Sequence, residues 1–223
     1  MKKIILLILC LLIGLKGVSA EVTSDIAPNS KSAILMDAET GTILFKKNEA
    51  EKLAPASMTK VMSMLLIMEA IDNGSLSLED EVSISENASS MGGSQVYLQT
   101  GEVYQVKELL KGIAVASGND AVVAMAEKIS GTVEEFVARM NERAQELGAI
   151  NTHFVNPHGL DAEDHYTTAY DMALMAQELL KHPTILEYTS IYEDYLQKKD
   201  GSSIWLVNTN KVVFIFCNKI NYC

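Results

Sequence analysis

Cysteine is missing where a small disulfide-stapled domain would need it. Of the three cysteines, Cys10 lies among the first twenty residues and Cys217 and Cys223 among the last seven, so no disulfide framework can hold the body between them. Zinc spacing built on Cys and His is absent for the same reason. Three of the four histidines, His153, His158 and His165, fall close together but lack the H-E-x-x-H arrangement that sets two imidazoles and a base on one helical face. Metal binding is not expected of them, and no cofactor is expected. Positive charge is also scarce: 18 Lys and Arg stand against 29 Asp and Glu, a net charge of −11. An acidic chain repels phosphate backbones, which argues against nucleic acid as a partner. The one long apolar run, Ile4 to Leu15, falls short of the roughly 20 residues that a membrane span requires. No repeat or low-complexity linker is present. What remains is 223 residues, 48% of them hydrophobic, enough for one domain with or without a helical insertion.

The first twenty residues have the layout of a secretory signal. Lys2-Lys3 supply the charged start, the apolar run follows, and Val18-Ser19-Ala20 offers small residues before Glu21. Export with cleavage after Ala20 is expected. Residues 32–37 and 42–46 are short apolar runs around Glu39-Thr40-Gly41, a hairpin signal. From Ser57 to Ile71 apolar residues fall on every helical face, which predicts a buried helix ended by Asn73-Gly74. Residues 76–105 are mixed and turn-rich. Val106, Leu109, Leu110 and Ile113 follow helical spacing up to Ser117-Gly118-Asn119, and a second apolar helix spans about Asp120 to Ile129. Thr132 with Glu135 forms a capping box for a further helix closed by Gly148, Thr168 caps another that Pro183 stops, and Trp205 to Thr209 reads as a strand. Strands, then helices, then a strand again predict an α+β domain with a helical insert.

Two constellations carry chemistry. In Ser57-Met58-Thr59-Lys60 the outer residues share a helical face, so the Lys60 amine can reach the Ser57 hydroxyl. A serine needs a base to become a nucleophile, and a lysine made neutral by burial is such a base. Free backbone N–H groups at the helix start favour a developing oxyanion. The bland alternative is a serine cap followed by a surface lysine. In Ser117-Gly118-Asn119 a hydroxyl and a carboxamide project between two helices, suited to proton relay and to holding a substrate amide; the bland alternative is an ordinary interhelical turn. Neither motif is specific alone, but their joint occurrence behind an export signal is.

Together with Asp37-Ala38-Glu39-Thr40-Gly41, Pro55 to Lys60, Gly112 to Asp120 and Asn151 to Leu160, these motifs make residues 30–211 resemble the low-molecular-mass penicillin-binding proteins, the serine D-alanyl-D-alanine carboxypeptidases. The resemblance implies a β-lactamase/transpeptidase-like antiparallel sheet flanked by helices, with an all-helical insert. It implies that Ser57 attacks the carbonyl between the terminal D-alanines of a peptidoglycan stem peptide, with Lys60 as base, Ser117 as proton relay and Asn119 orienting substrate. β-Lactams are then inhibitors that acylate Ser57. It also implies a role in peptidoglycan biosynthesis, cell-wall biogenesis and cell shape, outside the cytoplasm on the cell-wall side. Gly118 favours carboxypeptidases over class A β-lactamases, which usually carry Asp there.

The chain departs from the family pattern at its C-terminal side. The family's third motif, Lys-Thr-Gly, occurs nowhere, and residues 212–223 do not resemble the family. The expected organisation is therefore a signal at 1–20, a partial catalytic domain at 21–211 and an aberrant tail at 212–223, with the sheet incomplete at its C-terminal side and no membrane attachment encoded in this chain. Loss of one oxyanion donor costs about 10²–10³ in rate, so the alternative is an inactive remnant that at best binds wall peptide or β-lactam.

Overall fold

The turn at Glu39-Thr40-Gly41 closes as its composition requires. In the computed structural model β1 (Ala33–Met36) pairs antiparallel with β2 (Ile43–Lys47), and Asp37 Oδ1 accepts from both the backbone N and the Oγ1 of Thr40 at 2.7 Å. The structure describes residues 26–198, 200–211 and 213, so the expected signal at 1–20 and all of the 212–223 tail except Val213 lie outside the described residues. Met1–Ser30 and Lys31–Cys223 form separate compact units. The described part of the first is a turn in which Ser30 N donates to Ala27 O at 3.1 Å.

A 3₁₀ turn, Ala56–Thr59, leads into α1 (Lys60–Asp72). The all-round apolar helix is buried as predicted, with Met62, Leu65, Leu66, Ile67 and Met68 no more than 2% exposed. It lies against α3 (Val106–Ala116), α4 (Asn119–Ser130), α5 (Val133–Glu146) and α6 (Ala169–Leu179). The turn-rich stretch before α3 holds a short antiparallel pair, β3 (Glu81–Ser83) with β4 (Val103–Gln105), and the single-turn helix α2 (Glu86–Ser89). Caps fall where the sequence places them. Thr132 Oγ1 accepts from Glu135 N at 3.1 Å and Thr168 Oγ1 from Asp171 N at 3.0 Å, each satisfying a donor that the first helical turn leaves free. Arg143 of α5 ties three helices, donating to Glu69 of α1 at 2.8 Å, Glu146 at 3.0 Å and Glu178 of α6 at 3.1 Å.

Two boundaries differ from expectation. Pro183 ends no helix directly; α6 stops at Leu179, and Pro183 is the N-cap of α7 (Thr184–Thr189), where a missing N–H costs nothing. The strand expected over Trp205–Thr209 is β6 (Ser203–Val207), paired with an unforeseen β5 (Glu193–Gln197). Among the described residues the strands form three separate two-stranded antiparallel ladders, β1–β2, β3–β4 and β5–β6. The helices and these ladders make an α+β fold.

Candidate active site

Ser57 sits on the exposed side of the 3₁₀ turn, while Thr59 and Lys60 point into the core at 0% and 3% exposure. Ala56, just before Ser57, takes a left-handed conformation with φ +48°. The three-residue spacing brings Lys60 Nζ to 3.4 Å from Ser57 Oγ. The same Nζ donates to Asn119 Oδ1 at 2.7 Å and to the His158 carbonyl at 2.8 Å. Burial disfavours the ammonium and pushes the Lys60 pKa down to about 8, against the pull of the nearby Asp120 carboxylate. The amine is thus neutral in a sizeable fraction near neutral pH, as a general base must be.

Asn119 opens α4 and is 3% exposed. Its Oδ1 holds Lys60, its Nδ2 donates to Gly92 O at 2.7 Å, and its backbone N donates to Ser94 O at 2.7 Å. Both ends of the carboxamide are therefore engaged within the protein. Ser117 ends α3 in a left-handed conformation, φ +58° and ψ +35°, which turns the chain between the two helices. The structure joins Ser57, Lys60 and Asn119 through hydrogen bonds; among the described residues Ser117 Oγ makes none with these three.

The loop from His153 to His165 frames this group. Asn156 Oδ1 accepts from His158 N at 3.2 Å and Gly159 N at 2.6 Å, an Asx turn that presents two carbonyls to α1. Ser63 Oγ donates to Pro157 O at 2.6 Å, and Lys60 takes His158 O. His165 Nδ1 accepts from Val155 N at 2.9 Å, so its proton is on Nε2, which donates to Thr59 Oγ1 at 2.8 Å. Burial keeps His165 below its ordinary pKa, and burial with the Lys60 charge pushes His158 down to about 4. His153 Nδ1 lies 2.7 Å from Asp164 O. His158 Nδ1 accepts from Leu160 N at 3.2 Å, so each of the three imidazoles has its own hydrogen-bond partner, and no group of three His, Cys, Asp or Glu converges among the described residues. Met58 lines an apolar groove of about 490 Å³ between β1 and α6; Ser57, Lys60, Ser117 and Asn119 do not line it.

Residues 18–221 match the peptidase S11 family, D-alanyl-D-alanine carboxypeptidase, a span that runs past Lys211. The chain is 58% identical over 191 residues to the D-alanyl-D-alanine carboxypeptidase DacF of Bacillus subtilis (strain 168), covering 86% of this chain and 49% of the relative. It therefore spans about half the length of that curated relative. The crystal structure of the carboxypeptidase DacD from Francisella tularensis superposes with a TM-score of 0.77 at 38% identity, covering 81% of this chain and 44% of that one. Penicillin binding protein 5 from Haemophilus influenzae gives a TM-score of 0.77 at 33% identity, covering 83% and 54%. These likenesses establish the penicillin-binding, transpeptidase-type fold, and with the motif geometry above they place the chain in the D-alanyl-D-alanine carboxypeptidase family.

Proposed function

We propose that this chain carries the acylation centre of a serine D-alanyl-D-alanine carboxypeptidase acting on peptidoglycan stem peptides and inhibited by β-lactams. The observation that carries the reading is Lys60 Nζ, 3.4 Å from Ser57 Oγ, buried, with a pKa of about 8. In the reaction Lys60 takes the Ser57 hydroxyl proton as Oγ bonds to the carbonyl carbon of the penultimate D-alanine. The tetrahedral adduct collapses, the C–N bond breaks, and the terminal D-alanine leaves as an amine that receives a proton through Ser117. Water then hydrolyses the ester and frees Ser57. Asn119 keeps Lys60 in place and flanks the substrate. No cofactor enters these steps.

The test treats residues 21–223, and the same chain extended with the C-terminal half of the Bacillus relative, with a fluorescent penicillin and with a D-Ala-D-Ala peptide. Peptide mapping should find the adduct on Ser57, and the extended chain should release D-alanine. An adduct on another residue, or none in either protein, sinks the reading. Adduct without D-alanine release from either protein would favour the alternative, a non-catalytic module that binds wall peptide or β-lactam.

The same reading places the protein outside the cytoplasm, on the cell-wall side, in peptidoglycan biosynthesis, cell-wall biogenesis and cell shape. Residues 1–20 act as the leader, 21–211 as the partial catalytic domain and 212–223 as a distinct tail. No helix among the described residues is long and apolar enough to cross a membrane. N-terminal sequencing of protein recovered outside the cytoplasm should begin at Glu21; a chain starting at Met1 contradicts cleavage.

A further inference from the structure

Asp120 follows the second motif and touches neither Ser57 nor Lys60 by hydrogen bond, yet the residue is only 1% exposed. Burying a charge is costly unless donors compensate it, and here four contacts do. Val96 N lies 3.1 Å from both carboxylate oxygens, Leu98 N donates to Oδ2 at 3.1 Å, and Ala121 N to Oδ1 at 2.9 Å. Two of the donors belong to the segment 92–98, which runs beside α4. That segment supplies the Gly92 and Ser94 carbonyls that hold the Asn119 side chain and backbone. Tyr97, between the two bound amides, is in a left-handed conformation at φ +57° and is 68% exposed, a local strain that the flanking bonds to Asp120 sustain. Gly118 leaves room for the carboxylate: a Cβ there would sit 3.0 Å from Asp120 Oδ1 and 3.2 Å from Val96 Cγ1.

Resting on the acylation chemistry proposed above, we propose that Asp120 is a positioning residue: it clamps segment 92–98 to the start of α4 and thereby fixes Asn119, and through it Lys60, against Ser57. The chain of contacts is continuous. Asp120 holds Val96 and Leu98, the segment's carbonyls hold Asn119, and Asn119 Oδ1 holds Lys60 Nζ at 2.7 Å. The carboxylate also faces the site electrostatically. Lys60 on α1 and the Tyr104 phenol on β4 both sense its charge, and Lys60 in turn faces His158, beyond which lies His165.

The test measures the pH dependence of Ser57 labelling by fluorescent penicillin, and the Lys60 titration by NMR of ¹³C-labelled lysine, in the full chain. In Asp120→Asn the plateau rate should fall about 10- to 100-fold through misplacement of the base. Its acid limb should move to lower pH, because removing a nearby anion disfavours the ammonium. Gly118→Ala disturbs the same contact but keeps the charge, so its plateau should fall while its acid limb stays. Asp120→Glu should recover part of both effects. A plateau and limb unchanged in Asp120→Asn overturn the proposal. If that variant does not fold, an unchanged plateau in Gly118→Ala overturns it. If neither the unmutated chain nor its extended form is ever labelled, the acylation reading fails on its own. The Lys60 titration then decides, a lower value in Asp120→Asn supporting the coupling and an unchanged one overturning it.

Discussion

Labelling by fluorescent penicillin is expected to vanish in Ser57→Ala and to fall about 10²–10⁴-fold in Lys60→Arg. The arginine is the sharper test, because it keeps the positive charge and much of the length while removing the ability to accept a proton near pH 8. In the unmutated chain the labelling rate should climb as pH approaches about 8 and level off above it, since burial holds the Lys60 pKa there and only the neutral amine is competent. Lys60→Arg should show no such rise. Stability carries the same signature. The lysine's folded pKa lies below its ordinary value of 10.5, so between about 8 and 10.5 the unfolded chain binds more protons, and the folded state gains stability as pH rises. That gain should disappear in the arginine variant when thermal melts are compared across the window. Labelling that persists in Ser57→Ala, or a wild-type rate in Lys60→Arg, would remove these residues from the chemistry.

Gly159→Ala is expected to be the most disruptive substitution by size of change. A Cβ there would stand 1.8 Å from Ala56 O and 2.4 Å from Ala56 C, and φ is +88°. The obstacle is backbone one residue before Ser57, so no rotamer change relieves it. Either the loop carrying His158 lifts away from Lys60, or the 3₁₀ turn carrying Ser57 shifts. Overpacking with left-handed strain suggests a loss of about 2–5 kcal/mol, or roughly 5–20 °C in melting temperature for a chain of this size. Penicillin labelling should fall by about 10²-fold or more, because misplacement near 1 Å has effects of that order. Gly148→Ala is the control: φ is +78°, but nothing lies within 4 Å of the added carbon. It should show the backbone strain alone and leave labelling intact. Equal melting temperatures and labelling in both variants would mean that the loop and the turn yield to each other freely.

The parts of this molecule that the sequence discloses are those set by short-range periodicity. Ser57 and Lys60 meet because a three-residue step along a helical turn puts them on one face, and α1 is buried because its apolar residues cover every face. Thr132 and Thr168 cap as their spacing demands. What stayed hidden depends on backbone atoms or on thin patterns. Burial alternates along β5, but its letters, Glu-Asp-Tyr-Leu-Gln, set two acids before two adjacent apolar residues and carry no period-2 pattern to mark the strand. Asp120 was visible as a residue, but its partners are amides at 96 and 98, and an amide has no letter of its own. The Asn119 contacts to Gly92 and Ser94 carbonyls were hidden in the same way. Gly159 lies within the Asn151–Leu160 stretch that carries the resemblance, whereas the carbonyl that forbids a side chain there lies about a hundred positions earlier in the chain.

The three contacts of Lys60 have a directional consequence. An ammonium has three N–H bonds, and here they meet three oxygens: Asn119 Oδ1 at 2.7 Å, His158 O at 2.8 Å and Ser57 Oγ at 3.4 Å. A neutral amine has two N–H bonds and one lone pair. Carboxamide and peptide oxygens only accept, so they retain the two N–H bonds, and the lone pair is left facing the one neighbour that can both donate and accept, the Ser57 hydroxyl. Losing a proton to solvent therefore reverses the sense of a single hydrogen bond while the other two stay fixed. The lysine needs no new rotamer to become the base; its two anchors have already decided where its electron pair points.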